Sequence, residues 1–445
     1  MSFAEVVSQI SKFIWSPALV GLLIFAGLFF TAGTRFVQVR HIKDMLKSLF
    51  AVKAGNGKGI SSFEAFCMAL SGRIGTGNIV GVATAIAIGG PGSVFWMWLI
   101  AFFGAATAFM ESTLAQKYKF QHETGFRGGP FSYIEKGLGM KWLAVFFAVA
   151  GIIGYGTGLV TVQANGLSTS MHNAFGVNPL YVGLCLAAVL GAVIFGGIKS
   201  ISRVSSIITP FMALGYIIVA LVVVFFNLEA VPGVFKTIFQ EAFGLGAAGG
   251  GIIGTTIMMG VKRGVYSNEA GQGTGAIVSA SADVSHPVRQ GFAQSFSVYV
   301  DTLFVCTATA LMILIAAPTG LGDNYAAYTQ SAIDTVFPGF GSKFVGIAMV
   351  FFSYTTIMAY YFYAESSLIY LMRKREGSRL EKTLVVVLRL TLMSFAILGT
   401  VYESTLAWDL GDIAVGIQAW VNVIVLLLLS KQGFKALRDY EKGIL

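Results

Sequence analysis

The sequence is poor in charge. Asp, Glu, Lys and Arg make up only 11% of its 445 residues, whereas a typical soluble domain carries about 25%. So few charges cannot cover a surface that faces water, which excludes an ordinary soluble protein. Hydrophobic residues make up 56% of the chain, and they fall into runs long enough to cross a bilayer as helices, which takes about 20 residues. The sequence therefore predicts an all-α integral membrane protein of the cell inner (plasma) membrane, surrounded by lipid.

Cysteine and histidine are also scarce, and their placement argues against catalysis. The three cysteines lie inside apolar runs, so neither a disulfide framework nor a cysteine metal site is predicted. The four histidines show no catalytic or metal-ligand spacing, and we predict no enzyme activity and no organic cofactor. The formal net charge of +9 does not indicate nucleic acid binding, because the basic residues lie in short stretches between apolar runs. The residues concerned are Cys67, Cys185, Cys306, His41, His122, His172 and His286.

The apolar runs predict eleven transmembrane helices, the first of which is interpreted as a retained helix rather than a signal peptide. They lie near residues 15–34, 64–90, 93–117, 142–170, 178–197, 204–226, 246–281, 290–317, 342–372, 383–401 and 411–430. We divide the chain into an extra N-terminal helix with a basic loop (1–60), a first five-helix repeat (61–230), and a second five-helix repeat with a C-terminal tail (231–445).

The basic residues collect in alternate loops. The positive-inside rule places such loops in the cytoplasm, so we predict an external N-terminus and a cytoplasmic C-terminus. The basic loops contain, among others, Arg35, Lys43, Lys119, Arg127, Lys199, Arg289, Arg373 and Lys435, whereas the opposite loops receive only Lys12, Lys236 and Lys343.

Two of the predicted helices are interrupted by glycine and polar residues, over Leu70–Gly81 and over Met259–Gly275. Glycine costs about 1 kcal/mol relative to alanine inside a helix, so such clusters favour unwinding. Unwound backbone at membrane depth is tolerated only where it is buried in protein or lines a wet cavity. Its free carbonyls can bind a cation, and the next half-helix offers N–H groups to a carboxylate. Close packing between helices is the alternative explanation of the glycines.

The two interrupted helices occupy corresponding places in the chain. When the first helix is set aside, they are the first and the sixth of the remaining ten, as expected for an inverted repeat of two five-helix units. Discontinuous helices in such positions indicate the binding site of a secondary transporter. A channel for ions or amino acids is an alternative from another class, because broken helices also build selectivity filters.

Long motifs in these segments resemble the alanine or glycine:cation symporter family. They are IGTGNIVGVAT (74–84), GGPGSVFWMW (89–98), GGPFSY (128–133) and GVKRGVYSNEAG (260–271), and the resemblance extends over nearly the whole chain. It implies a leucine-transporter-like fold, in which two inverted five-helix repeats follow one additional N-terminal helix. It also implies sodium-coupled uptake of a small neutral amino acid, namely alanine, glycine or D-alanine, by alternating access.

The resemblance implies a set of residues that bind the amino acid. Those expected to contact it are Thr76 and Gly77 at the first break, Gln163, and Met259, Gly260, Tyr266 and Tyr360 around its side chain. Met259, Tyr266 and Tyr360 differ from the rings that are usual in the family at or beside these positions. Smaller or hydroxylated side chains there leave glutamine or serine as alternative substrates.

The resemblance also places a sodium ion between the first and eighth core helices. The matching ligands are the backbone carbonyls of Ser71 and Ile74 and the hydroxyls of Thr355 and Thr356. Without the resemblance this pair of threonines would indicate little, because such hydroxyls often bond to their own helix. Asn78 is the candidate for a second cation. The residues alone do not decide between sodium and protons, nor do they give an oligomeric state.

Ionisable residues inside spans are functional candidates by default. We predict that at least one cation–carboxylate pair forms near the broken helices and acts as a gate; snorkelling or a static pair is the alternative. Arg73 and Glu269 are candidates for it, while Asp301 could polarise a cation site or bond the backbone of a broken helix, and both roles stay open. The full set is Arg73, Glu111, Lys262, Arg263, Glu269, Asp301 and Glu365.

Overall fold

The computed structural model describes residues 2–51, 59–245 and 253–443, and these ranges are mostly helical. The elements up to residue 245 are α1 (Phe3–Ile14), α2 (Pro17–Gly33), α3 (Val37–Arg40), α4 (Ile42–Leu49), α5 (Ser62–Arg73), a π-helical turn (Gly77–Gly81), α6 (Val82–Gly89), α7 (Ser93–Tyr118), β1 (Phe120–His122), β2 (Gly125–Arg127), α8 (Pro130–Leu138), α9 (Lys141–Ile153), a second π-helical turn (Gly154–Gly158), α10 (Leu159–Phe175), α11 (Pro179–Ile194), α12 (Gly197–Phe225), a 3₁₀ turn (Leu228–Ala230) and α13 (Val231–Ala242). Strands β1 and β2 form an antiparallel hairpin.

The second part of the chain repeats the pattern of long helices joined by short ones. Its elements are α14 (Ile253–Asn268), α15 (Thr274–Ala280), α16 (Pro287–Val298), a π-helical stretch (Tyr299–Cys306), α17 (Thr307–Ala316), α18 (Tyr325–Asp334), α19 (Gly341–Met372), a 3₁₀ turn (Arg373–Arg375), α20 (Arg379–Val401), α21 (Ser404–Leu428) and α22 (Ser430–Glu441).

Eight helices of the described residues are long and apolar enough to cross a membrane, and Gly77–Gly89 and Pro179–Ile194 are shorter apolar helices. The predicted number of eleven spans stays a prediction, because residues 246–252 of the seventh predicted helix lie outside the described residues. The first predicted helix, near 15–34, corresponds to α2 (Pro17–Gly33), but the sequence analysis did not predict α1, which precedes it. Polar residues on one side of α1 lower its hydropathy, and that concealed this helix.

Helix α12 shows how the bundle meets its surroundings. Its large apolar side chains alternate at spacings of four and three residues along one side, as expected for one face of an α-helix. Side chains this apolar are stable at a surface only against lipid or another protein. The exposed residues of the stripe are Ile207, Phe211, Leu214, Ile218, Leu221 and Phe225.

The two interrupted helices lie side by side in the centre of the bundle. A Cβ atom added to Gly77 would lie 3.4 Å from the Cα of Ser267, and Arg73 at the end of α5 donates a hydrogen bond to the carbonyl of Asn268 at the end of α14. Helices α7, α10 and α19 pack around this pair. The tertiary fold therefore brings together the two segments that the sequence analysis singled out.

The loops of the chain meet at two faces. At the face that we call the basic face, Arg373 pairs with Glu135 of α8, and Arg40 pairs with Glu441 of α22. At the face that we call the opposite face, the Trp96 indole donates to the carbonyl of Ala242. The basic loops thus lie together at one end of the bundle, as their alternation predicts. Which face is cytoplasmic stays a prediction.

Candidate substrate and cation sites

The first broken helix is interrupted between α5 and the π-helical turn that follows. Helix α5 ends at Arg73, Ile74 has extended backbone geometry with ψ 94°, and helical backbone resumes at Thr76. The predicted interruption within Leu70–Gly81 is therefore present in the structure. The capping box of Ser61 at the start of α5 fixes where this half-helix begins.

Gly75 lies in the break because two side chains need its space. A Cβ atom at position 75 would lie 2.6 Å from Oγ1 of Thr356 and 2.7 Å from Oε1 of Gln163. Any larger residue would displace both groups. Glycine thus lets α10 and α19 contact the bare backbone of the break from two sides.

Oxygen atoms collect around Thr356 of α19. Its hydroxyl lies 2.8 Å from the carbonyl oxygen of Ser71, 3.1 Å from that of Ile74 and 2.8 Å from that of Phe352. The hydroxyl of Thr355 lies 3.2 Å from the same Phe352 oxygen and bonds the Phe351 carbonyl of its own helix at 2.9 Å. One hydroxyl hydrogen can satisfy only one of three carbonyls at a time, so oxygen lone pairs are in excess. Hard cations require such a set of oxygen ligands.

Phe352 is the member of this cluster that sequence reasoning missed. Its apolar side chain carries no signal, and only its carbonyl takes part. A signal did exist in the two threonines, because a helical Thr hydroxyl reaches the carbonyl three or four residues before it. Position 352 stands in that relation to both threonines. The structure therefore brings the Ser71 and Ile74 carbonyls and the Thr356 hydroxyl together with a further carbonyl, whereas Thr355 reaches only the Phe352 oxygen of this cluster.

A second group of buried residues adjoins the same break. The backbone N–H of Thr76 donates to Oε1 of Gln163 at 2.9 Å, and the Gln163 side chain lies beside the hydroxyls of Tyr266 and Tyr360. A Cβ atom on Gly77 would lie 3.1 Å from the Tyr266 ring. The structure thus gathers five of the seven residues predicted to contact the substrate.

One hydroxyl in this group lacks an internal partner. Oγ1 of Thr76 is buried without a hydrogen bond to any described residue. An unsatisfied buried polar group costs about 1–3 kcal/mol. Such a group beside a broken helix is what a site for a polar ligand provides.

Met259 and Gly260 lie elsewhere. A Cβ atom on Gly260 would lie 2.4 Å from the carbonyl oxygen of Ser93 and 2.5 Å from Cβ of Trp96, so this glycine allows α14 to pack closely on α7. Both residues precede Tyr266 by about two helical turns. The structure does not bring them to the break, where the other five residues meet.

The second interruption lies near the C-terminal end of the predicted segment Met259–Gly275. Helix α14 is continuous from Met259 to Asn268, and the helix is interrupted at residues 269–273. Glu269, Gly271 and Gly273 have positive φ angles of 55°, 86° and 89°. Glutamate rarely adopts such a conformation, which marks Glu269 as a strained position held by its surroundings.

Side chains from distant helices hold this second break. Oε2 of Glu111 in α7 accepts hydrogen bonds from the Gly273 N–H at 3.1 Å and from Nδ2 of Asn422 at 2.9 Å. The same Asn422 nitrogen donates to the carbonyl of Gly271 at 2.9 Å, and Tyr133 donates to the Asn422 oxygen. The sequence analysis singled out Glu111 as an intramembrane charge but missed Asn422, since an amide within an apolar helix has no distinctive spacing.

Arg73 connects the two broken helices. Its Nε donates to the Asn268 carbonyl at 2.6 Å, and its Nη1 donates to Oε1 of Gln294 at 3.0 Å and to the Ser297 hydroxyl. A cation at the end of α14 is favourable because the C-terminus of a helix carries partial negative charge. Across the part of the chain that the structure describes, Arg73 makes no ion pair within 4 Å, so its contact with Glu269 is electrostatic rather than direct.

Asp301 lies in the π-helical stretch and is fully buried. Its carboxylate accepts hydrogen bonds from Asn78 at 2.6 Å, from Ser267 at 3.0 Å and from Thr302 at 2.7 Å. Asn78 in turn accepts a hydrogen bond from the N–H of Gly75 at 2.9 Å. Asp301 is therefore linked to the first break through Asn78, and its hydrogen-bond donors among the described residues are all neutral.

Cations of α14 pair with a carboxylate that the sequence analysis did not single out. Arg263 forms two hydrogen bonds with Asp412 of α21, at 3.0 and 3.1 Å, and Lys262 lies 2.6 Å from the same carboxylate. Nearer the basic face, Arg127 lies 3.1 Å from Glu365 of α19. Cation–carboxylate pairs thus join α14 to α21 and strand β2 to α19, while the gating roles of Arg73, Glu269 and Asp301 stay predictions.

Known proteins resemble the chain along its whole length. The model of the sodium:alanine symporter family matches residues 1–444. The sodium/proton-dependent alanine carrier protein of Bacillus sp. (strain PS3) is 46% identical over 87% of this chain and 89% of its own length. GlnT of Bacillus subtilis (strain 168), named as a probable sodium/glutamine symporter, is 42% identical over 98% of this chain and 91% of its own.

Solved structures show the same fold. The crystal structure of MhsT in complex with L-phenylalanine superimposes with a TM-score of 0.56 at 16% identity, and the match covers 88% of this chain and 100% of that one. At this identity the likeness concerns the fold alone. It confirms the predicted leucine-transporter-like, all-helical fold class.

Proposed function

The chain belongs to the sodium:alanine symporter family, and from that premise we propose that it takes up alanine or glycine, or D-alanine, together with sodium by alternating access. It is a multi-pass membrane protein for sodium-coupled amino acid transport. The finer proposal concerns which amino acid is carried, which residues bind it, and that the basic face is the cytoplasmic one.

The oxygen cluster around Thr356 is the observation that carries the proposal. Three carbonyl oxygens lie within 3.1 Å of one hydroxyl, and two of them, from Ser71 and Ile74, belong to the broken helix. A sodium ion bound here would be coordinated by the carbonyl oxygens and by the oxygen of the hydroxyl, whose hydrogen would turn away. The ion would thereby bridge the broken helix and α19. Because the same backbone continues directly to Thr76, ion binding and substrate binding would share one flexible segment.

We assign the amino acid to the space bordered by Thr76, Gly77, Gln163, Tyr266 and Tyr360. The unpartnered hydroxyl of Thr76 supports this assignment, because a zwitterion supplies both donors and acceptors. Asn78 and Asp301 form the proposed second cation site, since a buried carboxylate without a cationic contact favours a bound positive charge. Met259 and Gly260 are left out of the assignment because of their packing against α7.

Glutamine is the second candidate substrate. The similarity to GlnT supports it, and Tyr266 and Tyr360 offer hydroxyls where a longer amide side chain would need hydrogen-bond partners. The carrier of strain PS3 is named for both sodium and protons, so a proton is the alternative coupling ion. Family membership favours a symporter over a channel.

Counterflow in proteoliposomes tests the proposal directly. Vesicles loaded with one unlabelled amino acid (alanine, glycine, serine or glutamine) are diluted into the same amino acid in labelled form, with sodium or with choline in its place. We expect sodium-dependent accumulation of labelled alanine and glycine. Accumulation of labelled glutamine alone would transfer the assignment to that substrate, while sodium-independent flux through the protein would contradict symport.

Gln163 offers a test of the substrate site. The variant Gln163→Leu keeps the size of the side chain but removes the acceptor of the Thr76 N–H, and we expect the KM for the amino acid to rise about tenfold, the equivalent of about 1.4 kcal/mol. The matched control is Gln418→Leu, because both polar atoms of buried Gln418 lack a hydrogen-bond partner in the described structure. An equal rise in both variants, or none in Gln163→Leu, would contradict the assignment.

A further inference from the structure

Three potential metal ligands meet at the basic face, away from both breaks. His122 and Glu123 belong to the β hairpin between α7 and α8, and Glu381 lies in the first turn of α20. One ligand atom from each lies within 4.8 Å of the other two. The side chains of His122 and Glu381 are only 2% and 5% exposed, whereas Glu123 is exposed. A half-buried trio with one ligand at the surface is open to an ion from solution.

We propose that His122, Glu123 and Glu381 form a binding site for a divalent transition-metal ion of the Zn²⁺ class. Nε2 of His122 lies 3.1 Å from Oε1 of Glu381. Zinc bonds of about 2.0–2.2 Å to nitrogen and oxygen at tetrahedral angles separate two ligand atoms by roughly 3.4 Å. The observed separation therefore needs only a small adjustment to admit the ion. One imidazole with two carboxylates favours Zn²⁺, Co²⁺ or Ni²⁺ over Mg²⁺ and Ca²⁺, which prefer oxygen alone.

The surrounding contacts already orient the ligands. Nδ1 of His122 lies 2.9 Å from the hydroxyl of Thr124, and Oε2 of Glu381 accepts a hydrogen bond from the Gly377 N–H at 3.2 Å. Metal-bound histidine usually donates its second ring N–H to such a partner. The Thr124 N–H donates to Nδ1 of His122 at 3.3 Å, so the ring proton lies on Nε2 and is donated to Glu381 in this structure. The other tautomer, which donates from Nδ1 to the Thr124 hydroxyl, leaves Nε2 free for the metal.

The site is accessible to ions from solution, and it lies between two elements of the chain that a bound ion would link. A cavity of about 550 Å³, lined by His122, Glu123 and the segment 196–199, opens beside it and gives room for an ion with a water ligand. The backbone N–H of Glu123 already donates to Glu376 at 2.7 Å. An ion bound here would tie the hairpin to the start of α20, and so would join elements of the two halves. Such a link would slow the relative movement of the two halves and with it transport. This consequence, unlike the binding of the ion, rests on the proposed function.

Calorimetric titration of the purified full-length protein with ZnCl₂ tests binding without any transport assay. We expect one zinc ion to bind, and Glu123→Gln to weaken it by at least tenfold; because Glu123 is exposed, this variant should fold. His122→Ala should abolish binding, and His122→Cys should retain it, which separates loss of a ligand from loss of folding. The control His172→Ala, on an exposed histidine of α10, should leave the affinity unchanged.

Two results would overturn the proposal. The first is zinc binding of the same affinity in Glu123→Gln, His122→Ala and the unmodified protein. The second is binding that disappears in His41→Ala instead, since His41 lies between Asp44 and Glu441 and is a rival ligand set. A separate uptake assay with zinc on the basic side measures the effect on transport. If zinc did not slow uptake, or if sodium-driven counterflow failed, the calorimetric evidence for zinc binding would be unaffected.

Discussion

Uptake by the variant Thr356→Val should require at least about tenfold more sodium for half-maximal rate than uptake by the unmodified protein. Valine keeps the shape of threonine but removes the hydroxyl that lies within 3.1 Å of the carbonyls of Ser71, Ile74 and Phe352. Losing one oxygen ligand to a charged partner costs about 1.5–3 kcal/mol, or roughly a 10- to 100-fold change in an equilibrium constant. Initial uptake rates over a series of sodium concentrations measure the effect.

A matched threonine distinguishes ion binding from a general effect of the substitution. Thr84 is buried in α6, and its hydroxyl bonds the carbonyl of Val80 in its own helix at 2.7 Å. Thr84→Val should therefore keep the sodium dependence of the unmodified protein. If Thr356→Val kept it as well, the oxygen cluster would not be the coupling site.

The second large effect is expected from Arg73→Met, in the stability of the protein. Arg73 is buried, and it attracts the three buried carboxylates Glu111, Glu269 and Asp301. Without it these groups would remain in a low-dielectric interior with no cation among their neighbours, and breaking such an arrangement costs about 3–5 kcal/mol. Thermal unfolding of the detergent-solubilised protein should show a much lower midpoint, and uptake should be lost.

Two further variants test the electrostatic cause. Arg203→Met removes an exposed arginine of the basic face, and its midpoint should stay close to that of the unmodified protein. Combining Arg73→Met with Glu269→Gln removes one of the uncompensated charges and should restore part of the lost stability. An unchanged unfolding midpoint for Arg73→Met alone would refute the role of Arg73 as the cation that balances the charge of the carboxylates near the two breaks.

The first break shows how far sequence reasoning reached. The cluster from Leu70 to Gly81 predicted unwound helix, and the structure places the interruption at Ile74 and Gly75. Here local chemistry and tertiary contacts agree, since Gly75 both weakens the helix and admits Thr356 and Gln163. The resemblance to the family supplied the partners on α10 and α19, which no spacing within the first helix could have indicated.

The second break shows where it was imprecise. The predicted segment Met259–Gly275 contains the interruption, but Gly260 and Gly264 within it pack closely on α7: a Cβ on Gly264 would lie 2.6 Å from the Ile100 side chain. Such glycines serve helix packing, the alternative that the sequence left open. The actual interruption starts at Glu269, where Glu111 and Asn422 bind the freed backbone.

By itself, the sequence determined the class of the molecule. Low charge and long apolar runs require a membrane environment, and glycine clusters in two apolar segments indicate helices that come apart. Only the tertiary structure decided which glycines unwind, which carbonyls join Thr356, and which carboxylates pair with Arg263. The physical reason is that a helix breaks where distant side chains replace its internal hydrogen bonds, and those partners lie 87 to 285 residues away along the chain.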